Sequence, residues 1–242
     1  MPAPTTRELL WGTPDRPRRG PKPSLTLERI VTEAVDLADA EGLASLSMAR
    51  LAERLGCAKM ALYRYVPGKT ELTALMLDAA LSSPPENHTD PADPESWRAY
   101  LREWSGTFFG NAVAHPWLNE LATGVRVMGP NELAWLETAL AVLDRSGLTH
   151  AERLDTVVLL LNHVRGMGLQ TGTAGTDLEG ELAREMTAVF LTQADRFPHA
   201  AVALAEAVPG TESAATAGRD NALDYGIERI LDGVAALIAT RR

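Results

Sequence analysis

The chain has 242 residues, 45% hydrophobic and 23% charged, with a net charge of -9 and a pI near 5.1. That balance is ordinary for a soluble globular protein of one large or two small domains and excludes a chain disordered throughout. No apolar run approaches the ~18 residues that span a bilayer, the start reads as lacking a signal peptide, and a lone Cys57 excludes an internal disulfide or a thiolate metal cluster. A cytoplasmic protein is expected. The five histidines show no His-x-x-x-His or similar spacing, so no metal or cofactor is expected.

Charge is unevenly spread. Residues 1–80 carry 11 Lys and Arg against 10 Asp and Glu, whereas the remainder carries 12 against 22. Residues 1–24 read as a flexible basic arm, because RPRRGPK (Arg16 to Lys22) sets four cations among Pro and Gly that block a helix. Such a run is either a solvated tail or a reach into a DNA groove, with Arg18, Arg19 and Lys22 as the contacts.

From Thr26, which can cap a helix, Leu27, Ile30, Val31, Ala34, Leu37 and Ala38 recur at spacings of three and four and predict a helix that ends at Gly42. A second helix is predicted from its cap Ser47, with Met48, Leu51, Ala52 and Leu55 inward, stopping at Gly56. After the three-residue turn GCA comes a short helix from about Lys59 to Val66, ended by Pro67 and Gly68; Lys69 opens a fourth with Leu72, Leu75, Met76 and Ala79 inward. Two short helices joined by a three-residue turn with Gly at its start form the helix-turn-helix arrangement, which presents its second helix to a DNA major groove. With Leu62 facing inward, Lys59, Met60, Ala61, Tyr63 and Arg64 fall on or near the outer side, where a protein with no partner would not place tyrosine. Lys, Arg and Tyr suit phosphates, and Ala61 and Met60 suit thymine methyls. Cys57, in the turn, reads as filler of a small niche between two helices; a redox switch would need a resolving cysteine.

The run from Leu27 to about Ala80, which contains LERIVTEAVDLADAEGLASLSMARLAERLGCAKMALYRYVPGKTELTALM, resembles the DNA-binding domain of the tetracycline-repressor (TetR) family in its spacing, its glycines and its ALYRYV..K.EL ending. The resemblance implies an all-helical homodimer with an N-terminal helix-turn-helix domain and a larger C-terminal domain that binds a small inducer and releases DNA. It places groove contacts on Lys59, Met60, Ala61, Tyr63 and Tyr65, and phosphate contacts on Ser47, Tyr63 and Lys69. Thr26 and Arg64 complete the expected DNA-binding set. Ala58 stands where the family often has a capping Ser or Thr, and Ala49 where the tetracycline repressors read a base with Arg.

Beyond the polar, Pro-rich loop Ser82–Glu95, a helix opening at Asp93 and Pro94 carries Trp97, Tyr100, Leu101, Trp104 and Phe108 at helical spacing. Such a stripe is core or the wall of an apolar cavity, and four of the five tryptophans, Trp97, Trp104, Trp117 and Trp135, lie between residues 97 and 135. Further helices are predicted from about Pro116 to Thr123, Asn131 to Arg145, Thr149 to Gln170 with a Thr149–Glu152 capping box, Asp177 to Arg196, and Asp220 to Ala239. Asn162, His163 and Arg165 interrupt the apolar run of the 149–170 helix, so each is either satisfied by neighbours or aimed at a ligand. QTGTAGTDLEG reads as a mobile loop over a pocket mouth. The candidate ligand-binding residues are Trp104, Phe108, Trp117, Met128, Trp135, His163, Met167 and Gln170.

The C-terminal portion resembles the tetracycline-repressor branch more loosely, in its SW..YL helix start and in LETALAVLDRSGLT. That alignment puts Thr123 where the branch has its metal-binding His and no Glu near Thr171, so a magnesium-chelated tetracycline is not the expected inducer. The family's dimer interface implies pairing through the helices near 149–170 and 220–239. The expected protein is therefore all-α, with an arm at 1–24, a three-helix helix-turn-helix domain at 25–81 and a helical ligand-binding and dimerisation domain at 82–242. It is expected to bind palindromic double-stranded operator DNA as a homodimer, and to be released by a small, largely hydrophobic or aromatic inducer. The rivals are a ligand-independent or activating DNA binder and an all-α enzyme, for which no nucleophile–base pair or carboxylate pair is visible.

Overall fold

A computed structural model describes residues 3–12, 25–90, 93, 95–174, 193–207 and 222–241, and all their regular structure is helical. The first helix, α1 (Thr6–Trp11), corrects the reading of residues 1–24 as a flexible arm throughout. Thr5 and Glu8 form a reciprocal capping box, Leu10 is buried, and the Trp11 indole N–H donates to the Met128 carbonyl at 2.9 Å. The basic stretch with Arg18, Arg19 and Lys22 lies outside the described residues.

The DNA-binding part follows the predicted pattern. Helix α2 (Leu27–Glu41) is capped by the Thr26 hydroxyl and buries Ile30, Val31, Ala34, Leu37 and Ala38; α3 (Met48–Arg54) is capped by Ser47 and buries Met48, Leu51 and Ala52. Gly56 ends this unit at φ 64°, a left-handed conformation that side chains with a Cβ resist. Helix α4 (Lys59–Leu62) is shorter than the predicted 59–66, because residues 63–65 continue as turns. Ala58 offers no side-chain cap at its start, and Pro67 follows its exit without an amide hydrogen to extend the ladder. Helix α5 (Lys69–Leu81) packs on α2 and α1 and runs on toward the C-terminal part.

There, α6 (Ser96–Ala114), α8 (Pro130–Val142), α9 (His150–Ala174) and the last helix pack around one core, with the short α7 (Leu118–Leu121) between α6 and α8. Helix α9 continues to Ala174, so the first part of the expected Gly/Thr-rich loop is helical; the rest of that loop, and most of the helix predicted from Asp177 to Arg196, lie outside the described residues. Helix α10 (Pro198–Ala207) was not anticipated. Helix α11 (Ala222–Ala239) buries Leu223, Ile227, Leu231, Val234 and Ile238, the stripe read from the sequence, against α9 and α6.

Three contacts fasten the DNA-binding part to the rest. Asp39 of α2 accepts the Trp117 indole N–H at 2.6 Å and pairs with the His115 ring at 2.9 Å. Asp78 of α5 accepts the backbone amides of Asn131 and Glu132 at 2.9 and 3.1 Å, capping α8 from another helix. The Leu81 carbonyl, at the end of α5, accepts both the Asn111 amide at 2.9 Å and the Trp135 indole at 3.0 Å.

Candidate DNA-binding surface and ligand site

Helix α4 is held by what it buries. Leu62 and Val66 are fully buried, so the opposite side of this short segment must face outward. Lys59 and Arg64 are exposed, Met60 is 73% exposed, and the Lys59 ammonium lies 5.8 Å from the centre of the Tyr63 ring. A methionine that exposed gains nothing from the core, and a cation beside a tyrosine ring forms a polar and aromatic edge suited to phosphate and base contacts. Ala61 and Tyr63 are half-buried, leaning on the core while keeping part of their surface accessible.

The other expected DNA contacts divide. Thr26 and Ser47 are exposed at the starts of α2 and α3, where their hydroxyl oxygens accept from the amides of Arg29 and Arg50, both at 3.2 Å. Each keeps a hydroxyl hydrogen as a donor. Lys69 is exposed, with its ammonium 3.5 Å from the Leu43 carbonyl. Tyr65 departs from the groove-facing set: it is half-buried, and its hydroxyl donates at 2.9 Å to the Leu25 carbonyl, tying the end of the α4 segment to the start of α2.

In the C-terminal part the aromatic residues close on one another. Trp104, Phe108 and Trp135 are all buried, with ring centroids 5.9 Å apart for Trp104–Phe108 and 5.4 Å for both Trp104–Trp135 and Phe108–Trp135. The indole N–H groups of Trp104 and Trp135 donate to the carbonyls of Trp135 and Leu81, and that of Trp117 to Asp39, so each satisfies its polar edge within the protein. The stripe is therefore core along most of its length. His163 also turns inward: its Nε2 is 2.9 Å from the Leu223 carbonyl, and a Cβ on Gly226 would lie 2.2 Å from its ring, so the imidazole wedges α9 against α11. Met167 packs against the core, Met128 is 38% exposed on the loop that receives Trp11, and the Gln170 side chain lies outside the described residues.

A polar cluster sits beside the aromatic one. The Arg165 guanidinium lies 5.7 Å from the Phe108 ring centre, and its Nε is buried with no hydrogen-bond partner among the described residues. The Oγ of Ser105, which is fully buried, and the Nδ2 of Asn119, 7% exposed, share that condition. Arg126 forms a two-pronged ion pair with the buried Glu132, leaving its Nε also without a partner. Burial pushes the Arg165 guanidinium down from its ordinary value, with Glu132 nearby pulling it up and Arg126 pushing it down. Burial likewise raises the Asp78 carboxyl against the two amides that hold its ionised form.

Residues 90–238 match the family model described as "Tetracyclin repressor-like, C-terminal domain", and residues 30–76 match "Bacterial regulatory proteins, tetR family". The chain belongs to the TetR family. It is 39% identical to the HTH-type transcriptional repressor DrrR1 of Streptomyces coeruleorubidus, over 98% of this chain and 87% of that one. Among solved structures, the Streptomyces coelicolor TetR family protein ActR in complex with actinorhodin superposes with a TM-score of 0.72 at 28% identity, covering 88% of this chain and 96% of that one. Apo ActR superposes at 0.75 with 25% identity, covering 92% and 100%.

As a TetR-family chain it is an all-α, DNA-binding transcriptional regulator and not an enzyme. Helix α4 lies within the residues that match the tetR-family model, and among the described residues no helix is long and apolar enough to cross a membrane. The polar cluster of Ser105, Asn119, Arg126 and Glu132 went unread because its members are scattered over α6, α7, α8 and a loop. Arg165 did carry a signal, as a cation interrupting the apolar run of α9, but no sequence spacing links it to Phe108.

Proposed function

We propose that this TetR-family protein is a ligand-responsive repressor that binds a palindromic operator as a homodimer and is released by a small, largely aromatic inducer. The observation that carries the reading is the outward display of Lys59, Met60, Tyr63 and Arg64 on a helix anchored by the buried Leu62 and Val66. An acidic body with this local cationic edge restrains non-specific attachment while allowing a specific contact. The repressor name of the 39% identical relative and the actinorhodin complex of a 28% identical neighbour favour repression and a small-molecule ligand, and the aromatic character is read from the buried Trp and Phe side chains of this chain.

Dimerisation through α9 and α11 is favoured by their outer faces, where Leu154, Val158 and Leu159 of α9 and Leu237 of α11 are 37–55% exposed on the single chain. A second copy covering them would place two recognition helices about a two-fold axis, the arrangement that reads half-sites one DNA turn apart, ~34 Å. The domain limits 25–81 and 82–242, the minor-groove role of Arg18 and Arg19, and a cytoplasmic location belong to the same reading. The inducer acts by favouring a conformer whose helix spacing no longer matches the grooves, so ligand and DNA oppose each other by linkage.

The test is titration of the purified protein against the DNA flanking its own gene and a shuffled control at two salt concentrations. Selective binding is expected, lost in Lys59→Ala and Tyr63→Ala while the dimer stays folded. Equal binding to both DNAs, or intact binding in both variants, overturns the reading.

A further inference from the structure

The described polar cluster asks for a particular kind of ligand. Along α6, Ser105 lies one turn before Phe108 and Ala112 one turn after; along α9, Gly168 lies one turn after Arg165, and its missing Cβ would meet Ala112 at 3.2 Å and the Asn119 amide nitrogen at 3.3 Å. Gly168 thus lets α6, α9 and α7 close around one strip, with Arg165 over Phe108 and with Ser105 and Asn119 flanking it. The buried atoms of this strip without a partner among the described residues, Arg165 Nε, Asn119 Nδ2 and Ser105 Oγ, all bear hydrogens to donate, and Arg126 Nε nearby is a fourth donor. Buried donors without acceptors are costly, so a strip that gathers several is suited to an incoming acceptor.

Charge sharpens the choice. Arg126 and Arg165 act on one another and on Glu132, whose carboxylate is occupied by the two-pronged pair with Arg126. Asp78, which lies near Glu132, is engaged by the α8 amides. Among the described residues, the carboxylate that acts on Arg165 is that of Glu132, already bound to Arg126, so the Arg165 end carries a positive excess beside an aromatic wall. An arginine in low dielectric favours a planar anionic oxygen pair over a neutral carbonyl, and its flat face stacks with an aromatic frame.

We propose that the inducer is an aromatic molecule bearing an acidic oxygen group, a carboxylate or an equivalent ionised oxygen, held by Arg165 with Ser105 and Asn119 as flanking donors. This rests on the ligand-responsive reading and names the ligand's chemistry. It also gives the aromatic core a second role, since Phe108 supports both the tryptophan packing and the guanidinium that meets the ligand.

The probe is an anthracene monocarboxylate beside the matching carboxamide, titrated into the full-length protein by fluorescence, with DNA release measured separately on the operator fragment. The carboxylate is expected to bind about tenfold more tightly than the amide, the scale of one charge-assisted pair. Arg165→Met should erase that ratio while still binding the amide, and Arg165→Lys should keep part of it. Circular dichroism melts of both variants separate a lost contact from a lost fold. A ratio near one in the unaltered protein, a ratio that survives Arg165→Met, or no binding of either probe overturns the assignment. Equal binding with DNA release by both probes leaves ligand-responsive repression standing without the acid preference. Selective binding through Arg165 without DNA release keeps an acid-binding site at Arg165 but overturns its assignment as the inducer site.

Discussion

The carboxylate of Asp39 accepts the indole N–H of Trp117 at 2.6 Å, across the boundary between the DNA-binding helices and the C-terminal core. The same carboxylate meets the His115 ring, so one acidic side chain on α2 holds both residues at the turn between α6 and α7. Asp39→Ala strips two donors of their acceptor while leaving the apolar contacts intact. The expected loss is about 1.5–3 kcal/mol of unfolding free energy, the range for hydrogen bonds to charged groups. Urea unfolding checks it, and a change below a few tenths would show that the contact is solvent-replaceable.

Gly226 is needed where the His163 ring lies, because a Cβ there would fall 2.2 Å from the imidazole. Gly226→Ala should separate α9 from α11 and lower stability by about 1–3 kcal/mol, as overpacking does. His163→Ala in the same chain should recover part of that loss, despite costing the bond to the Leu223 carbonyl. A double-mutant cycle with no coupling would place the ring elsewhere.

Glu228 of α11 binds Arg102 and Arg98 of α6, each at 2.5 Å, and these two cations bring its carboxyl down to about 2. A carboxyl lower in the folded chain than in the unfolded one adds stability that is complete above about 4.5 and lost as pH falls toward about 2. Glu228→Gln should therefore lower stability at neutral pH and flatten the acid limb of a stability–pH curve over that interval. The site is partly exposed, so added salt should shrink the difference between the two proteins. An acid limb unchanged by the substitution would assign the loss to other carboxyls.

Gly129 precedes α8 because the Asp78 carboxylate occupies the place its Cβ would take, with Oδ1 at 2.1 Å. Gly129→Ala should expel Asp78 from the α8 amides and cost about 1–3 kcal/mol. Because Asp78 sits on α5, the variant should also weaken the effect of inducer on DNA affinity. Thermal unfolding reads the first outcome and operator titration with and without ligand the second; an unchanged melt would mean that α8 finds another cap.

Local pattern made the helix-turn-helix legible. Thr26 and Ser47 cap where they were expected to, Leu62 is buried and Met60 is not, because each depends on residues a few positions away. Helix α1 had the same kind of signal, the Thr5–Glu8 capping box, masked by the Pro-rich basic stretch that follows. Contacts set by tertiary closure were not legible. Nothing near Tyr65 in the chain announces that its hydroxyl meets Leu25, 40 residues earlier, and nothing near Arg165 points to Phe108. The aromatic stripe was readable as either core or cavity wall, and the choice depended on carbonyls at Leu81 and Trp135 that receive the indole hydrogens.

Cys57, the chain's one thiol, is half-buried in the turn that leads into α4. Maleimide chemistry would thus attach one spin probe or dye per protomer, at the threshold of the helix meant for the groove, without engineering a new attachment point. In a two-fold assembly the pair of probes becomes a ruler. Its reading against the ~34 Å repeat of B-form DNA would follow the recognition helices as operator and inducer compete for them.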